Sequence, residues 1–178
     1  MAVASTDIIQ RRRLLGAGTG LSNREGILMG GRRVGYAPGV YDLFHVGHLN
    51  VLRNARQFCD YLIAGVLTDE MAQGAKGALP VVPLAERLAI VGSIRFVDQA
   101  VAEDVPHKLE MWERLRFDVI VKGDDWQGTP RGEQLEADFA GVGVDVAYVP
   151  YTTRTSSTML RQVLLREIQD IAAASPVP

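Results

Sequence analysis

The fold is decided by the stretch RVGYAPGVYDLFHVGHLNVL, residues 33–52, in which an apolar run is followed by a loop and then by a helical pattern. Residues 33–41 form a short apolar run with a Pro-Gly pair near its end, which is typical of a strand running into a loop. From Gly47 onward, Leu49 and Leu52 share one helical face, which predicts a helix that begins near Gly47. Strand, loop and helix in this order predict the first unit of an alternating α/β domain.

The alternation continues along the chain. Further strands are predicted in the segments YLIAGVLT, FVDQAVAE, DVIVKG and VDVAYVP. Further helices are predicted in LAERLAIVGSIR, HKLEMWERLR, RGEQLEADFA and the segment that follows SST, whereas GAKGALPVVP is predicted to be a loop. Five strands that alternate with helices predict an α/β, Rossmann-like fold, a five-stranded parallel sheet with helices on both faces. Ligands then bind beyond the carboxyl ends of the strands.

Composition is that of an ordinary globular chain. The 178 residues suit one domain, predicted at 33–174, and residues 1–32 are interpreted as a flexible N-terminal extension. The formal net charge of -2 gives no electrostatic case for nucleic acid or a membrane surface, and no apolar run is long enough for a membrane span. A single cysteine excludes a disulfide framework and fits a reducing, cytoplasmic location.

Several common signatures are absent or incomplete. The segment GAGTG, residues 16–20, resembles half of a dinucleotide fingerprint, but Leu21 stands where the third glycine belongs and no strand precedes it. The sequence contains neither the GxxxxGK[ST] phosphate loop nor the G-x-S-x-G elbow of hydrolases. These absences argue against a dinucleotide-dependent oxidoreductase, a P-loop enzyme and an α/β-hydrolase.

The histidines His45 and His48 permit three interpretations. A metal site needs a third ligand, and His107 is the only other histidine. Burial in the core is the second interpretation. The third is phosphate binding, because a helix that begins near Gly47 presents free backbone N–H groups and the positive end of its dipole. A residue without a side chain at position 47 would let a nucleotide approach the backbone, and each imidazole adds a donor.

The segment GVYDLFHVGH resembles the HxGH signature of the nucleotidyltransferase superfamily, whose members transfer NMP from an NTP. The segments CDYLIAGVLTDE, PLAERLAIVGSIRFVD, FDVIVKGDDWQG and PYTTRTSSTMLR are similar, in order and spacing, to the glycerol-3-phosphate cytidylyltransferase-like branch, over roughly residues 34–165. The resemblance implies a cytoplasmic, homodimeric cytidylyltransferase that uses CTP and Mg²⁺ and a small phosphorylated polyol, with glycerol 3-phosphate as the best guess. Alternatives are adenylyl or cytidylyl transfer to another phosphate or phosphonate, and a catalytically silent nucleotide-binding module.

The resemblance also assigns residues, and it commits no side chain to direct ligation of a metal. The catalytic residues would be His45, His48, Lys76 and Arg95. The nucleotide-binding residues would be Val40, Tyr41, Asp42, Gly47, Thr152, Arg154, Ser156, Ser157 and Thr158. The acceptor-binding residues would be Lys108, Asp125 and Trp126, with Asp125 facing acceptor hydroxyls or Mg²⁺.

Simpler interpretations stand beside these roles. The serines can cap the last helix, Lys76 and Lys108 can be solvated, and the tryptophan at position 126 can cover the core. Arg87 can serve only to support a neighbouring carboxylate. The chain also departs from the family pattern, because Tyr151 replaces a phosphate-binding arginine and Arg154 replaces a glycine. We hypothesise that the arginine at position 154 supplies the missing charge.

Overall fold

The computed structural model describes residues 31–152 and 154–174, so most of the predicted N-terminal extension lies outside the described residues. Five parallel strands form one sheet in the order β3-β2-β1-β4-β5. Their bounds are β1 Val34–Gly39, β2 Tyr61–Leu67, β3 Gln99–Glu103, β4 Val119–Gly123 and β5 Asp145–Val149. The predicted Rossmann-like α/β fold is therefore confirmed.

Six α-helices accompany the sheet within the described residues. Their bounds are α1 Val46–Ala55, α2 Asp69–Lys76, α3 Leu84–Gly92, α4 Lys108–Leu115, α5 Pro130–Ala140 and α6 Ser157–Ala174. Short 3₁₀ turns follow α1 at Arg56–Phe58 and β4 at Asp124–Trp126. The helix predicted to begin near Gly47 ends at Ala55, where the chain tightens into the 3₁₀ turn.

Helix α2 occupies a segment that includes part of the predicted loop. Thr68 caps its start, because the hydroxyl accepts a hydrogen bond from the Met71 amide at 3.3 Å. Asp69 and Glu70 lie in the first turn, where carboxylates favour the positive end of the helix dipole. Gly77 ends the helix with φ of 73°, a left-handed conformation that glycine adopts without strain. The predicted loop therefore shortens to the segment after this glycine.

Two apolar cores lie on opposite faces of the sheet. On one face, Leu52 and Ala55 of α1 and Val91 of α3 are fully buried against the strands. On the other face, Met111 of α4 and Phe139 of α5 are buried. Because alternate strand residues point to opposite faces, each strand contributes to both cores.

The strand order places a ligand crevice above the centre of the sheet. From β1 the chain builds outward through β2 to β3, then crosses back to place β4 on the other side of β1. The neighbouring carboxyl ends of β1 and β4 therefore lead into helices on opposite faces, which is the topological switch point where α/β sheets bind ligands.

The last helix differs from the others in its exposure. Leu164, Ile168 and Ile171 of α6 are exposed, so the apolar positions that the sequence places on this helix are not covered by the rest of the described chain. Of the described helices, none has the length and apolarity to cross a membrane.

Candidate active site

The loop after β1 carries an unusual backbone. Tyr41 and Leu43 have φ of 56° and 47°, a left-handed conformation that costs free energy for residues with side chains. Tyr41 is buried, and its hydroxyl donates a hydrogen bond to the Ala37 carbonyl at 2.9 Å. This anchor holds the loop in a conformation that turns the chain into α1 at Val46.

His45 caps α1 with its own ring. Its Nδ1 accepts a hydrogen bond from the Gly47 amide at 3.0 Å. In the neutral imidazole, the proton must then sit on Nε2, which makes Nε2–H a donor. That nitrogen lies 3.4 Å from the hydroxyl oxygen of Ser157, at the start of α6.

The geometry corrects the expected role of Gly47. Its amide is not free for phosphate, since it already donates to His45. A Cβ at this position would lie 2.7 Å from the His45 ring, well inside van der Waals contact. The capping imidazole fills the space that a side chain at this position would occupy, so the fold itself requires glycine here.

His48 stacks on His45 from the first turn of α1. The ring centroids are 4.0 Å apart, and the Tyr41 ring packs edge-on against His48 at 5.4 Å. Burial, with the nearby His45 and Lys76, lowers the pKa of His48 to about 3, so the ring is neutral at pH 7. Burial and Lys76 also lower the pKa of His45.

One ring nitrogen of this pair is buried without a hydrogen-bond partner in the part of the chain that the structure describes. Nδ1 of His48 is buried and has no hydrogen-bond partner among the described residues. A buried polar atom without a partner is costly, and it is commonly satisfied by water or by a ligand. Across the described ranges, no group of three His, Cys, Asp or Glu side chains could hold a metal ion.

Asp42 organises the loop beside the histidines. Its Oδ1 accepts hydrogen bonds from the Val81 and Val82 amides at 3.0 and 2.9 Å, and its Oδ2 accepts one from Arg161 at 2.9 Å. Burial alone would raise the pKa of this carboxyl, but these hydrogen bonds outweigh it, so the pKa lies below its ordinary value. The predicted acidic residue that orients the loop is therefore a buried, ionised hub between three segments.

Arg87 is the fully buried counterpart of this hub. Its guanidinium donates to the carbonyls of Val40 and Leu67 at 2.6 and 2.8 Å, at the carboxyl ends of β1 and β2. It also donates to the Val82 carbonyl at 2.9 Å and pairs with Asp69 at 2.5 Å. The expectation that Arg87 supports a neighbouring carboxylate matches this geometry.

The start of α6 completes this side of the site. Ser156 is the helix cap, since its Oγ accepts from the Met159 amide at 3.2 Å. The Ser157 hydroxyl instead donates to the Asp42 carbonyl at 2.7 Å and faces His45. The two adjacent serines therefore do different things: one holds the helix end, and the other lies within the site.

A cavity of about 150 Å³ opens between these elements. Its lining is Val40, Asp42, Ala72, Lys76, Ala78, Pro80, Ser157, Thr158 and Arg161. Five of the predicted site residues therefore meet at one cavity, although they come from three separate segments of the chain.

Two cations flank this cavity, and only one was predicted. Lys76 lies in the last turn of α2, so the expectation of a lysine on a flexible loop is wrong. Burial lowers its pKa, Asp42 opposes that shift, and Arg161 adds to it. Arg161, absent from the sequence-based set, donates to Asp42 and to the Leu79 carbonyl at 2.7 Å. It is the last residue of the segment PYTTRTSSTMLR, beyond the serines and the threonine to which the resemblance assigns nucleotide binding.

The predicted acceptor residues lie on the other face of the sheet. Lys108 begins α4 and forms an ion pair with Glu103, the buried last residue of β3. Trp126, in the 3₁₀ turn after β4, packs against the core of that face and lies 4.3 Å from the ammonium of Lys122. Asp125 of the same turn is exposed. Sequence reasoning missed Glu103 and Lys122, because both are within strands.

The remaining predicted residues are placed less centrally. Thr152 accepts a hydrogen bond from Asn50 at 2.9 Å, which joins the loop after β5 to α1. Arg154 is exposed and, among the described residues, has no hydrogen bond or ion pair. Arg95 lies between α3 and the amino end of β3, on the opposite edge of the sheet from His45. The assignment of Arg95 to the site is therefore not supported, because a strand's length separates them.

Comparison with known proteins adds independent findings. Residues 36–163 match the family described as cytidylyltransferase-like. The chain is 36% identical to glycerol-3-phosphate cytidylyltransferase from Staphylococcus aureus (strain NCTC 8325 / PS 47), over 71% of this chain and 90% of that protein. It is 37% identical to ethanolamine-phosphate cytidylyltransferase from Arabidopsis thaliana, over 69% of this chain but only 30% of that protein.

A solved structure shows the same architecture. The lipopolysaccharide core biosynthesis protein from Thermoplasma volcanium GSS1 aligns with a TM-score of 0.62 and 25% sequence identity. The alignment covers 69% of this chain and all of that structure. The alignment therefore extends over most of this chain, and the likeness in sequence is modest.

Proposed function

The chain belongs to the cytidylyltransferase-like family of nucleotidyltransferases, and we propose on this premise that it transfers CMP from CTP to a small phosphorylated polyol, with glycerol 3-phosphate as first candidate. The observation that carries the proposal is the cavity of about 150 Å³ at which Lys76, Arg161 and Ser157 meet, beside the stacked histidines. Cations and hydroxyls around a small cavity, at the carboxyl edge of the sheet, suit a triphosphate.

The chemistry needs little from the protein beyond positioning. A phosphate oxygen of the acceptor attacks the α-phosphorus of CTP, a new P–O bond forms, and the bond to the bridging oxygen breaks as pyrophosphate leaves with its electron pair. A phosphate monoester is largely dianionic at pH 7, since its second pKa is about 6, so no proton has to be removed. The groups that matter are those that meet growing negative charge.

His45 suits that task through its tautomer. Because Nδ1 is occupied by the Gly47 amide, the ring offers Nε2–H without needing a positive charge. His48 has an unused Nδ1 in the same stack, and its protonation on phosphate binding would add a second charge-assisted donor. Lys76 and Arg161 would hold the β- and γ-phosphates, and Thr158 lies on the same cavity wall.

Mg²⁺ would enter with CTP in this proposal. Magnesium usually keeps several waters and binds substrate phosphates, together with one or two carboxylates. The exposed carboxylate of Asp125 is a suitable side chain near the carboxyl end of β4. The ion would neutralise negative charge on the leaving pyrophosphate.

A panel of pyrophosphate-release assays tests the proposal. Each of the four NTPs is combined with glycerol 3-phosphate, ethanolamine phosphate and a phosphonate. The expected result is pyrophosphate from CTP with glycerol 3-phosphate. Ethanolamine phosphate is the second candidate because of the 37% identity to an enzyme of that name. Preference for ATP would indicate adenylyl transfer, and tight CTP binding without pyrophosphate from any acceptor would indicate a silent binding module.

His48→Ala is the matching variant for this assay. Loss of one preorganised group of this kind costs roughly 100- to 1,000-fold in turnover in comparable sites. Near-normal turnover in that variant would contradict the assigned role of the histidine pair. Circular dichroism establishes that the variant is folded.

Assembly and location form the remaining part of the proposal. We propose a homodimer, since the family resemblance implies one and the exposed Ile168 and Ile171 on α6 leave an apolar surface to cover. A cytoplasmic location fits a chain with one free cysteine, Cys59. The reaction would then supply an activated CDP-polyol to reactions that transfer the polyol phosphate onward.

A further inference from the structure

A buried lysine lies at the carboxyl end of β4, on the face of the sheet opposite the histidines. Lys122 is the penultimate residue of the strand and is 9% exposed. It shares a face with Ile120, two positions earlier, and that face packs against α4 and α5. The side chain therefore points away from the α1 face that carries His45 and His48.

The ammonium of Lys122 is poorly satisfied for a buried cation. It donates one hydrogen bond, to the Pro38 carbonyl at 3.3 Å, and lies 4.3 Å from the centre of the Trp126 ring. No carboxylate of the described residues lies within ion-pair distance of it. An ammonium has three donors, so this arrangement leaves capacity for a further acceptor.

The nearest buried carboxylate is already committed elsewhere. Glu103 is fully buried, accepts a hydrogen bond from the Tyr36 hydroxyl at 2.5 Å and pairs with Lys108. The tyrosine reaches it by crossing β2 at Gly65, where a Cβ would lie 2.1 Å from the hydroxyl oxygen. This polar cluster thus holds two lysines against one buried carboxylate, an excess of one positive charge.

The exposed Asp125 does not remove that excess. Its charge attracts Lys122, but it is screened by water. Burial and then repulsion from Lys108 dominate, and together they lower the pKa of Lys122 to about 8, so the group remains mostly charged at pH 7. A charge held in such a place attracts an incoming anion more strongly than an exposed lysine would.

The position of the cluster relates it to the nucleotide site. The carboxyl ends of β1 and β4 are neighbours, and the chain leaves them toward opposite faces of the sheet. The histidines follow β1, whereas Lys122 lies one residue before the end of β4. One crevice is therefore flanked by His45 and His48 on one side and by two lysines that attract anions, Lys108 and Lys122, on the other. In-line transfer needs the attacking acceptor phosphate and the leaving pyrophosphate on opposite sides of the α-phosphorus of CTP.

We propose that Lys122 acts beside Lys108, which the family resemblance already assigns to the acceptor, in binding the acceptor phosphate, and that Lys122 is a determinant of acceptor recognition. Tyr36 and Glu103 are positioning residues, because they hold Lys108 and have no free polar atom for the acceptor. The inference rests on the proposed transfer to a phosphorylated acceptor, and it adds the group that distinguishes a phosphate acceptor from a neutral one.

The composition of the chain makes this site simple to test. The three lysines of the sequence are Lys76, Lys108 and Lys122, and all three lie at the carboxyl edge of the sheet. Lys122→Met removes the charge and keeps an unbranched apolar side chain that suits the buried site. Lys76→Met is the matched control on the nucleotide side.

Isothermal titration calorimetry measures binding affinities, which do not depend on turnover. Wild type and both variants are titrated with CTP, glycerol 3-phosphate, ethanolamine phosphate and inorganic phosphate. We expect Lys122→Met to weaken binding of the phosphorylated acceptor roughly 10- to 100-fold with little change for CTP, since one charge-assisted contact is lost. Lys76→Met should show the reverse. Thermal denaturation checks the fold, and removal of a buried charge should not lower the melting temperature.

The outcomes separate this inference from the proposed function. Equal acceptor affinity in wild type and Lys122→Met, or no binding of any of the three phosphate probes by the wild type, would overturn the subsite. Failure of the proposed function is a different result: acceptor and CTP bind, but no NTP yields pyrophosphate. If Lys122→Met weakens CTP as much as the acceptor, the lysine acts through the fold, and the subsite is again overturned.

Discussion

His45 and His48 are three positions apart, yet the fold uses their ring nitrogens differently. The first caps its own helix through Nδ1, which leaves Nε2–H directed toward Ser157. The second is more deeply buried, stacks on the first and keeps Nδ1 without a partner among the described residues. Their shared property is neutrality at pH 7, so in the free protein they act as dipolar donors and not as fixed charges.

A buried neutral histidine makes stability depend on pH in a defined window. The pKa of His48 is about 3 in the folded protein and ordinarily 6.5, so between these values the unfolded chain binds more protons. Stability should therefore fall as the pH drops below 6.5, by up to about 1.4 kcal/mol per pH unit for this group. Urea titrations of wild type and His48→Gln between pH 4.5 and 7.5 measure the effect.

The difference between wild type and His48→Gln in the slope of stability against pH isolates the contribution of His48. Below pH 6.5 the variant should lose stability less steeply than the wild type, with the remaining slope coming partly from His45. Asp42, whose pKa is lowered, contributes stability that is lost only at more acid pH, below its ordinary value of 3.8. Parallel slopes for the two proteins would show that His48 does not titrate as assigned.

Two arginines are candidates to supply the positive charge that is missing where Tyr151 replaces the family's arginine. Arg161 lines the cavity with Lys76 and is held by Asp42, whereas Arg154 is exposed and has no ion pair among the described residues. We predict that Arg161→Ala raises the Michaelis constant for CTP roughly 10-fold or more, and that Arg154→Ala changes it by less than about 2-fold. Steady-state kinetics with CTP varied at saturating acceptor measure both. The reverse order would restore the hypothesis that Arg154 compensates.

At the scale of elements, Arg87 of α3 joins the carboxyl ends of β1 and β2 to the turn before its own helix. Three carbonyls and Asp69 depend on one guanidinium that is fully buried. This guanidinium holds the strand ends that carry the site. Its loss should therefore disturb the geometry of the site and lower the free energy of unfolding together.

Arg87→Met tests that dependence. It leaves three carbonyls and a partly exposed carboxylate without their donor, and breaking such a buried pair costs about 3–5 kcal/mol. Arg95→Met is the matched control, since Arg95 is exposed at the amino edge and its guanidinium packs on Phe96 at 5.0 Å. Its cost should stay below about 1 kcal/mol. Urea unfolding measures both, and similar losses would contradict the assignment.

At the scale of the whole molecule, α6 is the element whose apolar residues are not covered. Met159, Val163, Leu164, Ile168 and Ile171 are 42–66% exposed in the single chain. An apolar surface of this kind marks an interaction site, and a second copy of the chain is the occupant that the proposed homodimer provides.

Ile168→Glu tests the dimer. A charge in the centre of the stripe should dissociate the dimer while leaving monomer stability nearly unchanged, because the side chain is 61% exposed. Gln169→Glu adds the same charge at the adjacent position and should leave the dimer intact. Light scattering coupled to gel filtration measures the mass of each form. A monomeric wild type at tens of micromolar would contradict the proposal.

Much of the architecture was determined by local patterns in the sequence. Apolar strands such as YLIAGVLT and the helical spacing of Leu49 and Leu52 are set by neighbours in the chain, so the parallel sheet and the helix after the histidines were predicted correctly. The family, confirmed by the match over residues 36–163, was carried by contiguous motifs. Helix α2 was not predicted, because the glycines around Lys76 are typical of a loop, whereas in the structure Thr68 caps a helix there and Gly77 ends it.

What the tertiary structure alone decided is which side chains meet. Gly47 makes room for the His45 ring, and Arg95 lies at the opposite edge of the sheet. Arg161 lines the cavity from α6 and Lys122 is buried in β4, although the sequence motifs assigned a role to neither. Local periodicity specifies which face of an element is apolar, but the distance between two elements depends on packing across the sheet. Sequence therefore determined the fold and the reaction class, whereas the cations around the cavity followed from long-range packing.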